Sequence, residues 1–106
     1  MRRDEELVVH LLCVAILTRY PLVNNKTLVK LLGARLDVMG FAVSEQELGR
    51  WAKYQKEHRG GVIVSVKGHG GCKLEDMNRM MAPLAEYAYK LTDGDEEFWR
   101  SVGLKR

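Results

Sequence analysis

The 106-residue sequence predicts a mainly α protein with one small β-hairpin, in the order α-α-α-β-β-α-α. Three observations predict it. Apolar residues recur at helical spacing before residue 58 and again after residue 75. A serine-led capping sequence at 44–47 opens the best-marked helix. Between the two helical regions, residues 62–74 hold β-branched residues in alternation and then a glycine-rich turn. The length suits one domain with a modest core, so residues 1–106 read as a single domain with a helical extension from about 75 to 106. With 46% hydrophobic and 29% charged residues the composition is that of an ordinary globular chain.

The first helix is expected over residues 4–18, with Asp4 as cap and Glu5 and Glu6 in the positive first turn. Leu7, Leu11, Ala15 and Thr18 form one stripe, widened by Val8, Leu12 and Ile16. Val9, Cys13 and Leu17 make it apolar almost all the way round, and such a helix is buried on more than one side. Within it, His10 is expected to be hydrogen-bonded at the edge of the core. Pro21 ends the helix. Asn24 or Asn25 opens a second helix, 26–38, with Leu28, Leu31, Leu32, Leu36 and Met39 inward and Gly40 as its stop. The third spans 44–58: Ser44 bonds the backbone at Glu47, Glu47 reaches back, and Val43 and Leu48 form a hydrophobic staple. Gly60 and Gly61 end it. Residues 62–66 and 72–74 then read as the strands of a hairpin turning through Lys67-Gly68-His69-Gly70-Gly71. A further helix starts near Glu75, and Pro83 kinks or restarts it. A last helix covers 96–102.

Net charge is +3, with a sequence pI of about 9.0. The distribution says more than the total. Residues 50–73 carry Arg50, Lys53, Lys56, Arg59, Lys67 and Lys73 against Glu57 alone, whereas 74–97 are as strongly acidic. Opposite blocks in succession imply a two-sided molecule whose basic side suits a polyanion. Cys13 and Cys72 do not make a disulfide framework and read as buried free thiols, which points to the cytoplasm. The apolar run from Leu7 to Leu17 is too short for a bilayer, which needs about 20 residues, so no membrane role is expected. No zinc-type Cys/His cluster, phosphate-binding loop, nucleophile elbow or catalytic triad is present, so the chain reads as a binding protein without metal or cofactor rather than an enzyme.

The helical wheel of 44–58 puts Leu48, Trp51, Ala52 and Gln55 on the core side. The opposite side carries Gln46, Arg50, Lys53, Tyr54 and Glu57, with Gly49 beside them. Arginine can bond a guanine edge twice and glutamine an adenine edge, while lysine and tyrosine reach phosphates. Gly49 permits close approach. Lys67, His69 and Lys73 sit on or beside a thin glycine-flanked tip, suited to a phosphate backbone or the minor groove.

Read together, Ser44, Arg59, Val62 to Ser65 and Gly71-Cys72-Lys73-Leu74 make the stretch from Val43 to Leu74 resemble the winged helix-turn-helix domains of bacterial and phage regulators. Those pair a serine-capped recognition helix with a strand and a return strand that usually carries an aromatic where Cys72 stands. The resemblance implies double-stranded DNA as partner, helix 44–58 in the major groove and hairpin 62–74 as a wing. The small size and C-terminal extension fit a phage or mobile-element protein.

A homodimer through helix 4–18 and the C-terminal helices is expected on two grounds: the apolar first helix and the methionines and aromatics after residue 75. The acidic block motivates a competing reading, a phage-type inhibitor (anti-CRISPR or antirestriction) that uses the scaffold to bind a host protein. A third is an architectural subunit whose first helix packs on a partner.

Overall fold

A computed structural model describes residues 1–68 and 71–91. The described elements are α1 (Arg3–Arg19), β1 (Val23–Asn24), α2 (Asn25–Val38), α3 (Glu45–Glu57), β2 (Ile63–Val66), β3 (Gly71–Leu74), a 3-10 turn η1 (Asp76–Met81) and α4 (Ala82–Leu91). The chain is mainly α with a small antiparallel sheet, the fold class expected. The helix expected over 96–102 and the tip residue His69 lie outside the described residues.

Cap chemistry fixes the helix starts. At α2 the Asn24 side chain accepts from the Thr27 backbone N–H at 2.8 Å, and at α3 Ser44 Oγ accepts from the Glu47 N–H at 3.1 Å. The return half of the expected capping box at 44–47 does not form; the Glu47 carboxylate lies 4.0 Å from the amino group of Met1 instead. At α1 the cap is Arg2, whose backbone N–H donates to Glu5 Oε1 at 2.8 Å, so Asp4 lies inside the first turn rather than before it. Pro83 stands in the first turn of α4, where a missing N–H costs nothing, so it restarts the helix after η1.

The sheet has three strands in the order β1-β3-β2. Its outer member was not expected: Val23 pairs with Cys72 and Asn24 with Gly71. The Cys72 thiol also donates to the Val23 carbonyl at 3.4 Å. Two glycines make these close passages possible. A Cβ on Gly71 would stand 2.9 Å from Leu22 Cδ1 and 3.0 Å from the Val23 carbonyl oxygen. One on Gly61 would come within 1.8 Å of the Gln55 carbonyl oxygen, so only glycine lets β2 leave so close to α3. Gln55 then accepts from the Val62 N–H at 3.0 Å and ties helix end to strand start.

Helix α1 is the centre of the core. Val9 and every residue from Leu11 to Leu17 are buried, and α1 packs most extensively on α4, with further contact to α2, η1 and β3. The chain therefore covers its apolar first helix itself. Leu7, near its start, remains exposed. His10 behaves as expected, donating from Nε2 to Asn78 Oδ1 at 3.0 Å.

A polar cluster locks α4 in place. Arg35 of α2 is fully buried and donates from Nη2 to the Tyr89 hydroxyl at 2.6 Å. Its guanidinium carbon lies 3.8 Å from the Tyr89 ring centroid, and that of Arg19 lies 3.6 Å from the same centroid. Two planar cations so close to one centroid must flank the ring from opposite faces. Arg19 also forms a two-point ion pair with Glu86, with Nη1 2.7 Å from Oε2. Three helices thus meet at one tyrosine.

Both cysteines are free and buried. Burial, and then the neighbouring Cys72, pushes the Cys13 thiol well above its ordinary range; burial also raises Cys72, partly opposed by the Lys56 ammonium. In the unfolded chain both ionise near pH 8.5. A raised folded-state pKa contributes stability that is present below that pH and lost as pH climbs through the folded values.

Two predictions follow from the packing. Replacing Tyr89→Phe keeps the ring but deletes the hydroxyl that accepts from Arg35, and should cost about 1–3 kcal/mol in a urea melt. Tyr87→Phe on the exposed side should cost nothing measurable. Unfolding free energy should also fall above about pH 8.5, by up to roughly 1.4 kcal/mol per pH unit for each thiol. The Cys13→Ala, Cys72→Ala chain should show a shallower alkaline decline, and an identical slope would refute the assignment.

Candidate nucleic-acid interface

The Ser44 cap sets the rotation of α3, and its core side is as expected: Leu48, Trp51 and Ala52 are buried and Gln55 half-buried. Gln46, Arg50, Lys53, Tyr54 and Glu57 are exposed, and Gly49 is half-buried. The free face therefore covers about half the helix circumference. Its centre is Gln46, Arg50, Lys53 and Glu57.

Two grooves border that face. One, between α3 and the start of α1, is lined by Met1, Glu6, Glu47, Arg50, Trp51 and Tyr54. The other lies between α3, the start of α2 and β2. Gly49, Lys53 and Lys56 line it from α3, Asn25 from α2 and Ser65 from β2. Gly49, Lys53 and Lys56 are spaced i, i+4, i+7 and so form one row. A Cβ built on Gly49 meets nothing within 4 Å, so the fold itself does not require glycine there.

Side-chain contacts tune the cations unequally. Lys53 and Glu57 stand 4.0 Å apart as an exposed i, i+4 pair, a weak, salt-screened contact. The Lys56 ammonium donates to Asn25 Oδ1 and so bridges α3 to the first residue of α2. At the helix end Tyr54 and His58 stack with ring centroids 3.6 Å apart and planes at 19°, while His58 Nδ1 lies 2.9 Å from the Tyr54 carbonyl oxygen. Tyr54 is thus held side-on and remains 55% exposed, so its ring is pre-oriented for an external contact.

The hairpin cations divide. Cys72 and Leu74 are buried, and Ser65, the partner of Cys72, lines the groove beside α3. Lys73 lies between them, opposite Val64, so the two-residue alternation of a strand turns it to the outer face, away from α3. The expectation that Lys73 shares a surface with Lys53 is corrected accordingly. Lys67 is exposed at the start of the turn that follows β2. His69 lies outside the described residues.

Lys56, Asn25 and Ser65 were missed from sequence. The i, i+4, i+7 spacing from Gly49 could have found Lys56. Nothing local marks Asn25 or Ser65, because the α2–α3 and α3–β2 packing brings them there. Among the described residues no group of three or more His, Cys, Asp or Glu could hold a metal ion, and no helix is long and apolar enough to cross a membrane. No protein-family model, curated protein or solved structure matches this chain.

Proposed function

We propose that this chain is a winged helix-turn-helix protein that binds double-stranded DNA, a small cytoplasmic transcriptional regulator of bacterial or phage type and not an enzyme. Helix α3 would enter the major groove, and the β2–β3 hairpin would act as the wing. The observation that carries the reading is the free face of α3: Gln46, Arg50 and Lys53 stand outward on a helix whose other side is locked into the core. Two further features support it. The helices α2 and α3 precede a hairpin whose return strand sits centrally in a β1-β3-β2 sheet, the element order of a winged domain. Gly49 weakens α3 by about 1 kcal/mol relative to alanine, yet no neighbour explains it. Close approach by an external backbone does explain it.

Phosphate contacts come from Lys53, Lys56 and Lys67, and base contacts from Gln46 and Arg50. Tyr54, fixed by its stack on His58, adds a phosphate or sugar contact. Lys73, on the outer face of the sheet, belongs to this surface only if the duplex wraps past the wing edge. The competing inhibitor reading rests on the acidic block. Of that block, Glu86 is engaged by Arg19 and Asp76 by Arg79, and residues 93–97 lie outside the described residues. No observation favours it over DNA.

The test is a gel shift on random duplex DNA at two salt concentrations. Affinity should fall steeply with salt, and Arg50→Ala with Lys53→Ala should weaken binding by about 1–3 kcal/mol per side chain. Unchanged affinity at low salt in that double variant, with circular dichroism unchanged, would sink the proposal. Gly49→Ala separates fold from function. It should stabilise the free protein by up to about 1 kcal/mol and weaken the DNA complex. If both stability and affinity rise, α3 does not make a close approach.

A further inference from the structure

We propose that the groove between α3 and the start of α1 binds a guanine base, laid flat on Tyr54 with its two polar edges toward opposite walls. Arg50 is shared with duplex binding, whereas Glu6 has no part in it, so the site goes beyond that reading.

The groove measures about 420 Å³, within the ordinary range of small-molecule clefts, roughly 300–1,000 Å³. Helix α3 supplies one wall through Glu47, Arg50, Trp51 and Tyr54, and α1 supplies Glu6 from the other. Aromatic rings give it the surface that a planar guest needs. Arg50, Tyr54 and His58 follow one another four apart and so stand in one row on α3. His58 covers one face of the Tyr54 ring, with centroids 3.6 Å apart, and is not part of the groove wall. The uncovered face therefore looks back along the row toward Arg50, into the groove. A planar base laid on it extends the His58–Tyr54 stack by one ring, and the rim of Trp51 adds apolar surface.

The polar groups select the base. Arg50 and Glu6 both line the groove, yet neither makes an ion pair or a side-chain hydrogen bond among the described residues. Opposite charges left unpaired across one groove suit a guest that meets both. Glu47 is less available, because the Met1 amino group stands 4.0 Å from it. An arginine on one side and a carboxylate on the other call for two adjacent acceptors and two adjacent donors on different edges. Guanine has both: O6 and N7 accept a two-point contact from arginine, and N1–H and the exocyclic N2–H donate to a carboxylate. Adenine, cytosine and thymine lack the paired donors. A simple anion would satisfy Arg50 and be repelled by Glu6 and Glu47, and a simple cation the reverse. A free guanine nucleoside and a guanine turned out of a nucleic-acid strand present the same chemistry.

Equilibrium dialysis of the full chain against guanosine tests the site. Inosine, which lacks the N2 amino group, and 7-deazaguanosine, which lacks N7, should each bind about tenfold more weakly or worse, as loss of a hydrogen bond to a charged group requires. With circular dichroism unchanged, Glu6→Gln should bring guanosine down to the level of inosine, and Arg50→Ala to that of the 7-deaza analogue. A second arm uses a duplex carrying one unpaired guanine, the same duplex with one unpaired adenine, and the fully paired form. Binding of guanosine assigns the site to a nucleoside. Preference for the unpaired guanine without guanosine binding assigns it to a strand. The proposal is overturned if neither guanosine nor the unpaired guanine is preferred over its adenine counterpart, or if Glu6→Gln leaves that preference intact. Affinity for the fully paired duplex is the separate readout of DNA binding, so either reading can fail alone.

Discussion

The architecture follows from one constraint: α1 is apolar on almost every side and needs cover on most of them. Buried residues from Val9 to Leu17 demand partners on several sides at once. The α2 helix, η1, β3 and α4 supply them, and α4 supplies the most. The fourth helix is thus part of the core, although it follows the hairpin in sequence. Its seat is fixed by a polar device rather than by shape alone. Tyr89 lies between two guanidinium groups, one from α1 and one from α2, and its hydroxyl accepts from the buried one. Burying cations is costly unless each is engaged, so a cluster of this kind admits few arrangements. Once α4 is placed, Leu84 and Tyr87 on its outer side are left exposed.

The same constraint leaves α3 free. It packs on α2 and β2 through Leu48, Trp51 and Ala52, and Gln55 fastens it to the strand that follows. A helix held so tightly on one side presents the other without distortion. The small sheet sets where the hairpin projects. Gly61 and Gly71 are spent on close passages, one past α3 and one past β1. A larger residue at either would move the ribbon relative to the helix beside it.

What could be read from the sequence tracks the range of the interactions. The caps at Asn24 and Ser44, the restart at Pro83 and the core side of α3 depend on neighbours within a turn or two, and they were legible. Strand β1 was not, because two residues carry no periodicity. Val23 and Asn24 become a strand only through Cys72 and Gly71, some fifty positions away. Arg35 is the sharper case. It falls among Leu28, Leu31, Leu32 and Leu36 on the apolar side of α2, yet it is absent from the inward residues expected from the sequence. Its partner, Tyr89, lies on another helix 54 positions away, so nothing local explains a buried cation there. Lys73 was misassigned for a related reason. Counting charge along a segment ignores the alternation of a strand, which sends Cys72 inward and Lys73 outward.

That alternation bears on the shape of the basic surface. Summed along the chain, residues 50–73 look like one positive block, but folding divides it. Lys53 and Lys56 line the groove on the α3 side of the ribbon, while Lys73 stands on the reverse. Glu45 and Glu47 occupy the first turn of α3, where the helix dipole favours them, and the cations follow one and two turns later. A polyanion meeting this face would find the helix start screened by carboxylates and its middle open through Gly49. Attraction would therefore concentrate at the middle of α3 and the root of the hairpin. A duplex can span both points at once because its phosphates run along two edges of a groove, whereas a single anionic side chain would be held at only one.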